Sequence, residues 1–102
     1  MGSDLMDMLV KMIKDLEDTR EKYHGYAYIR TMRNILVGKD NAIIAQHFKA
    51  KPYYSLFHKL ALENTERMMD TLVHMNKIDI VWTDHGKLYC TPEYHNYLCA
   101  RA

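Results

Sequence analysis

The feature that most constrains this chain is a change of hydrophobic period at Ile78. Ahead of it, Met68, Met69, Leu72, Val73, Met75 and Ile78 recur every three to four residues, the spacing of a helix buried on one side. Beyond it, Ile80 and Trp82 alternate with Val81 and Thr83, and Leu88 and Cys90 alternate with Lys87, Tyr89 and Thr91, which predicts two strands. The Asp84-His85-Gly86 link has hairpin-loop chemistry, since Asp favours turn entry and Gly86 can take a positive φ. Asn64 or Thr65 is the expected cap of the helix, with the Glu66 carboxylate in its first turn, and Arg67, Asp70, Thr71, His74 and Lys77 lie opposite the apolar stripe. Thr91 followed by Pro92 predicts a capped start to a short final helix through Glu93, Tyr94, Tyr97 and Leu98. Trp82, in step with Ile80, is expected to fill the core beneath the preceding helix; base stacking is its other reading.

Upstream, the chain is helical in pattern. From Asp4 to about Lys22, Leu5, Met8, Leu9, Met12, Ile13 and Leu16 form one stripe, while Asp7, Lys11, Lys14, Asp15 and Asp18 lie outside it. Such a helix either packs on the body of the domain or forms a homodimer or other protein seam; two to three heptads are short for an independent coiled coil, which favours packing. His24-Gly25 breaks the pattern, with Gly25 a candidate C-cap. A second helix is predicted from about Tyr26 to Val37, burying Ile29, Met32, Leu36 and Val37 and leaving Arg30, Arg33 and Asn34 outside. Gly38 ends it. A shorter helix follows from Ala42 to about Phe48, with Asp40 or Asn41 as cap, and its exposed N–H groups beside Lys39 make either an ordinary capped turn or a small anion site. Between Lys49 and Glu63 the chain is irregular, aromatic and basic: Tyr53, Tyr54 and Phe57 are surrounded by Lys49, Lys51, His58 and Lys59. That mixture suits a nucleic-acid backbone, or a loop plugged onto the core by its aromatics.

Composition narrows the classes. The chain has 102 residues, 48% of them hydrophobic, enough for one core, so residues 4–102 are expected to form a single domain after a Met1-Gly2-Ser3 leader of vector-like composition. A formal net charge of +1 excludes binding driven by bulk positive charge, so any nucleic-acid contact must be local. No apolar run approaches the roughly 20 residues of a membrane span, so no membrane partner is expected. Cys90 and Cys99, without a secretory apolar region ahead of them, fit a reducing intracellular compartment, nuclear or cytoplasmic.

Catalysis finds little support. There is no phosphate-binding glycine loop, no nucleophile elbow and no serine or cysteine placed beside His58 or His74. His85, Cys90, His95 and Cys99 fall close together, but their spacing matches no familiar zinc pattern and Cys90 shares a strand face with Leu88, so neither metal nor other cofactor is expected.

The order of helix, glycine-centred turn, short helix, aromatic-basic loop, helix and hairpin resembles the RQC domain of RecQ-type DNA helicases. The echoes are Leu36-Val37-Gly38-Lys39, similar to that family's Leu-Arg-Gly-Ser turn, Tyr54-Ser55-Leu56-Phe57 in the variable loop, and Asn64-Thr65-Glu66-Arg67-Met68-Met69 opening the third helix. The resemblance implies a winged helix-turn-helix that binds duplex DNA. Gly38, Lys39 and Asn41 would touch phosphates, the third helix with Arg67 would lie near the backbone, and the tip from Asp84 to Lys87, with His85, would sit at the duplex end. Val37 stands where the family has arginine and Lys39 where it has serine, and the tip has no aromatic wedge. The family's zinc-binding cysteines and ATPase motor are absent, so no unwinding by this chain alone is implied. Val81-Trp82-Thr83 with Gly86-Lys87-Leu88-Tyr89-Cys90-Thr91-Pro92 also resembles the winged-helix repeats of the ufmylation ligase, which implies a protein-interaction module of a scaffold or ligase complex.

The expectation is therefore an α+β, mainly helical, winged helix-turn-helix domain with an extra N-terminal helix and a C-terminal hairpin wing. Its expected role is non-catalytic binding of double-stranded DNA through Arg33, Lys39, Asn41, Lys49, Lys51, Arg67, Lys77, His85 and Lys87, as an accessory domain of a DNA-processing protein; protein binding is the alternative.

Overall fold

The computed structural model describes residues 2–23, 27–39 and 47–101. Among them are four helices, α1 (Ser3–Tyr23), α2 (Ile29–Leu36), α3 (Leu62–His74) and α4 (Pro92–Arg101), and one antiparallel hairpin of β1 (Asp79–Thr83) and β2 (Gly86–Cys90). Residues 42–46 of the expected short helix, its Asp40 or Asn41 cap and the Gly25 C-cap lie outside the described residues; Phe48 is buried in the core. No helix among the described residues is long and apolar enough to cross a membrane.

Helix α1 begins at Ser3, one residue before its expected start at Asp4, and the Met6 N–H donates to the Gly2 carbonyl. Its stripe behaves as the periodicity demands: Leu9, Met12, Ile13 and Leu16 are fully buried against Met32, Ile35, Leu36, Met69 and Leu72. Leu5 and Met8 of the same stripe are half-buried. Asp15, expected outside the stripe, is buried. Its neighbours explain why: Tyr53 Oη donates to it at 2.6 Å and Lys11 at 3.0 Å, so the carboxylate trades water for charge-assisted hydrogen bonds.

Helix α2 starts later than its apolar pattern suggests, because Tyr28 is extended (φ −84, ψ 154) and the carbonyl of buried Ala27 accepts the Tyr89 N–H of β2 at 3.1 Å. Pairing with the hairpin overrides local helix preference there. The helix buries Ile35 beside the predicted Met32 and Leu36, and stops at Leu36, with Val37 as its half-buried C-cap. It ends in a Schellman motif: Gly38 N–H donates to Ile35 and Lys39 N–H to Asn34, with Gly38 at φ +71.

Helix α3 starts at Leu62 with extended Ala61 before it, and Glu63, not Glu66, is the carboxylate of its first turn. Thr65 does not cap: its buried hydroxyl donates back to the Ala61 carbonyl at 3.0 Å, so the helix runs through it. The far end repeats the α2 device, with Asn76 at φ +62 and Lys77 N–H bonded to the Leu72 carbonyl. Met75 therefore lies past the helical period and is exposed, whereas Ile78 returns to the core.

The hairpin pairs Ile80 with Tyr89, Trp82 with Lys87 and Thr83 with Gly86, leaving Asp84 and His85 as the turn and Gly86 at φ +107. Trp82 does not fill the core; it is 72% exposed. The register explains the difference. Ile80 lies across from Tyr89, and it is Tyr89 that is fully buried, donating its hydroxyl to Asp70 of α3, while Trp82 sits two pairs nearer the open tip. Strand β2 is covered on both faces, with Leu88, Tyr89 and Cys90 all buried.

Thr91 caps α4 as its sequence predicts, accepting the Tyr94 N–H at 3.3 Å. Glu17 of α1 completes the cap, taking the Thr91 N–H and hydroxyl at 2.7 Å each. Thr91→Ala removes both hydroxyl bonds and should lower the unfolding free energy by about 1–2 kcal/mol; denaturant titration monitored by circular dichroism measures it.

Candidate nucleic-acid interface

Residues 27–39 and 47–62 contain six lysines and arginines (Arg30, Arg33, Lys39, Lys49, Lys51 and Lys59) and no carboxylate. The fold brings these segments together. Ser55 N–H donates to the Ile35 carbonyl at 3.0 Å and Phe57 N–H to the Leu36 carbonyl at 2.9 Å, so the aromatic-basic loop is hydrogen-bonded onto the end of α2. Contact there is tight: a Cβ built on Gly38 would meet Ser55 Cβ and Oγ at 2.8 Å.

Two aromatic residues anchor the loop beneath its charges. Tyr53 and Phe48 are buried with ring centroids 6.1 Å apart, and the Tyr53 hydroxyl reaches Asp15 on α1. Burial opposes ionisation of Asp15, but the bonds from Tyr53 and Lys11 and the charges of Lys51 and Lys11 together hold its pKa below the ordinary 3.8. Tyr53 is pushed in the opposite direction, first by burial and then by the carboxylate it serves, so it remains a protonated donor. Of the two roles open to the loop's aromatics, packing is the one observed: Tyr53 is buried and Tyr54 and Phe57 pack half-buried against the core, while Lys39, Lys49, His58 and Lys59 are exposed.

The other expected contact residues are dispersed. Arg33 is half-buried and donates from Nε to Asn34 Oδ1 at 3.0 Å, and Lys51 Nζ stands 3.6 Å from Asp15. Asn41 lies outside the described residues. Arg67 borders a shallow groove with Leu5, Asn64, Met68 and Thr71, whereas Lys77 lines a cleft with Val10, Lys14 and Thr91. His85 is exposed at the tip, edge-on to Tyr28 at 6.3 Å. Lys87 carries its charge inward, 3.0 Å from Glu66 and 3.2 Å from Asp70. The Glu66 bond foremost, and then Asp70, raise its pKa above 10.5 against the effect of burial.

The histidine and cysteine cluster is engaged otherwise. His95 Nδ1 lies 3.0 Å from Asp79 Oδ2, and Cys90 Sγ lies 3.8 Å from the Asp79 carbonyl. Burial, followed by the charges of Glu17 and Asp79, pushes the Cys90 thiol up to about 12, so it is no nucleophile near neutral pH. No group of three or more His, Cys, Asp or Glu side chains is disposed around a common metal position among the described residues.

Sequence reasoning found the lysines but not the polarity of the molecule. From 63 to 91 five carboxylates face three lysines and arginines, the reverse of the segments before it. The missing signal was the carboxylate-free run over 47–62, legible in the sequence as a charge asymmetry. Comparison with family models, curated proteins and solved structures found no match to this chain.

Proposed function

We propose that this chain is a winged-helix domain that binds nucleic acid without catalysis, with duplex DNA held by its phosphates against the surface of Lys39, Lys49, Lys51 and Lys59. The observation that carries the reading is the joining of two carboxylate-free basic segments through the Ser55 and Phe57 hydrogen bonds. Phosphate contacts of this kind hold a duplex without reading its sequence. Lys39 and Lys49 are both exposed on this surface and serve as its probes.

Anisotropy of labelled duplexes across a salt series tests the proposal. Binding should weaken with a log–log slope of about −0.9 for each phosphate neutralised. The double variant Lys39→Glu/Lys49→Glu should bind about ten-fold more weakly whatever the duplex sequence, with a shallower slope. Unchanged affinity in that variant would remove the assigned surface, and salt-independent affinity would remove the phosphate mechanism.

A further inference from the structure

The opposite charge character of α3 and the hairpin, with a single exposed tryptophan at their junction, is not used by a phosphate-binding surface. Trp82 is 72% exposed, on the strand position facing Lys87. The Lys87 ammonium lies 5.7 Å from the centre of the Trp82 ring and is held there by Glu66 and Asp70. Both carboxylates remain substantially open, with 43% and 42% of their side-chain surface exposed. Two carboxylates against one ammonium leave the face negative, and exposed Asp84 at the tip adds to it.

We infer that Trp82, Glu66, Asp70 and Lys87 form a docking face for a basic segment of another protein. An arginine suits it best. Its guanidinium stacks on an indole and pairs with a carboxylate at once, which a lysine does less completely. Tryptophan and arginine are also the side chains on which protein contacts concentrate their binding energy. A nucleic-acid strand fits this face poorly, because its phosphates would approach Glu66 and Asp70 while the only nearby ammonium of the wing is already engaged. Charge complementarity therefore selects a cationic peptide here, independently of duplex binding at the Lys39 surface.

The full chain and its Trp82→Ala variant should be screened in parallel against a displayed library of random dodecapeptides. The wild-type chain should enrich arginine-rich sequences that the variant does not retain. An enriched peptide carrying a fluorophore should then bind about ten-fold more weakly to Trp82→Ala and to Glu66→Gln, a size typical of a stacked cation with a charge partner. Because Trp82 is exposed, its variant should keep the wild-type melting curve; Glu66→Gln supplies the same test through a surface group.

Enrichment of acidic or uncharged peptides, or no enrichment at all, would overturn the inference. Equal retention by the Trp82→Ala variant would do so too. Labelled oligothymidylate provides the remaining arm: if it quenches the emission of Trp82, the sole tryptophan, and loses affinity in Trp82→Ala, the face belongs to nucleic acid.

Discussion

Gly38→Ala should lower the unfolding free energy of this protein by about 3 kcal/mol. Two effects add. The left-handed backbone at φ +71 costs an L-residue roughly 1–2 kcal/mol, and the new Cβ would lie 2.8 Å from Ser55 Cβ and Oγ and 3.3 Å from Ser55 Cα. Neither side can yield easily, because Gly38 closes the Schellman motif of α2 and the Ser55 N–H is bonded to Ile35. For a domain of this size that loss corresponds to a fall in melting temperature of roughly 10–20 °C. Adding Ser55→Gly removes the colliding Cβ and Oγ and relaxes a residue itself held at φ +59. The double variant should therefore be more stable than Gly38→Ala alone by about 1–2 kcal/mol. A cost for Gly38→Ala below about 0.5 kcal/mol, within the range of an ordinary surface change, would show that the turn and loop are not locked together.

Tyr53→Phe should cost about 2 kcal/mol at neutral pH, the size expected when a buried carboxylate loses a hydrogen bond. The ring stays packed on Phe48, so the loss isolates the hydroxyl bonded at 2.6 Å to Asp15. The cost should also depend on pH. Asp15 has a folded pKa below 3.8, so the stability linked to its charge is present above that value and is lost as pH falls through the folded pKa. Removing the hydroxyl raises the folded pKa toward the unfolded one and diminishes this term. The gap between wild type and variant, read by denaturant unfolding at pH 7 and near pH 3, should shrink on acidification. A gap that stays constant would mean that the hydroxyl serves packing and not the Asp15 charge.

These two contacts have a common consequence for the proposed interface. Gly38 and Ser55 set the turn against the loop, and Tyr53 pins the same loop to α1 through Asp15. The proposed basic surface is thus positioned by the close Gly38–Ser55 contact at the turn and by the buried Tyr53–Asp15 pair beneath the loop. Folded variants at these positions should lose duplex affinity without any change in surface charge, since they displace the lysines from one another.

Much of the architecture follows from pattern alone. The stripe of Leu9, Met12, Ile13 and Leu16, the stop at Gly38, the change of period at Ile78, the Asp84-His85 turn and the Thr91-Pro92 start all appear where the residues place them, because each is a local preference or a periodicity that a single buried face enforces. Boundaries proved less legible. Tyr28 is extended because Ala27 pairs with Tyr89, and Thr65 lies inside α3 because its hydroxyl can bond the preceding turn.

What the sequence determined by itself was the set of elements among the described residues, their order and the charge each carries. What the tertiary structure decided was which polar groups are buried and which apolar ones are not. Periodicity assigns a face to a residue but not the depth of what covers that face. Asp15, one position from the stripe of α1, is buried because Tyr53, far along the chain, arrives with a hydroxyl; Trp82, in phase with Ile80, is exposed because α3 covers the inner pair of the hairpin through Tyr89 and leaves the outer one to solvent.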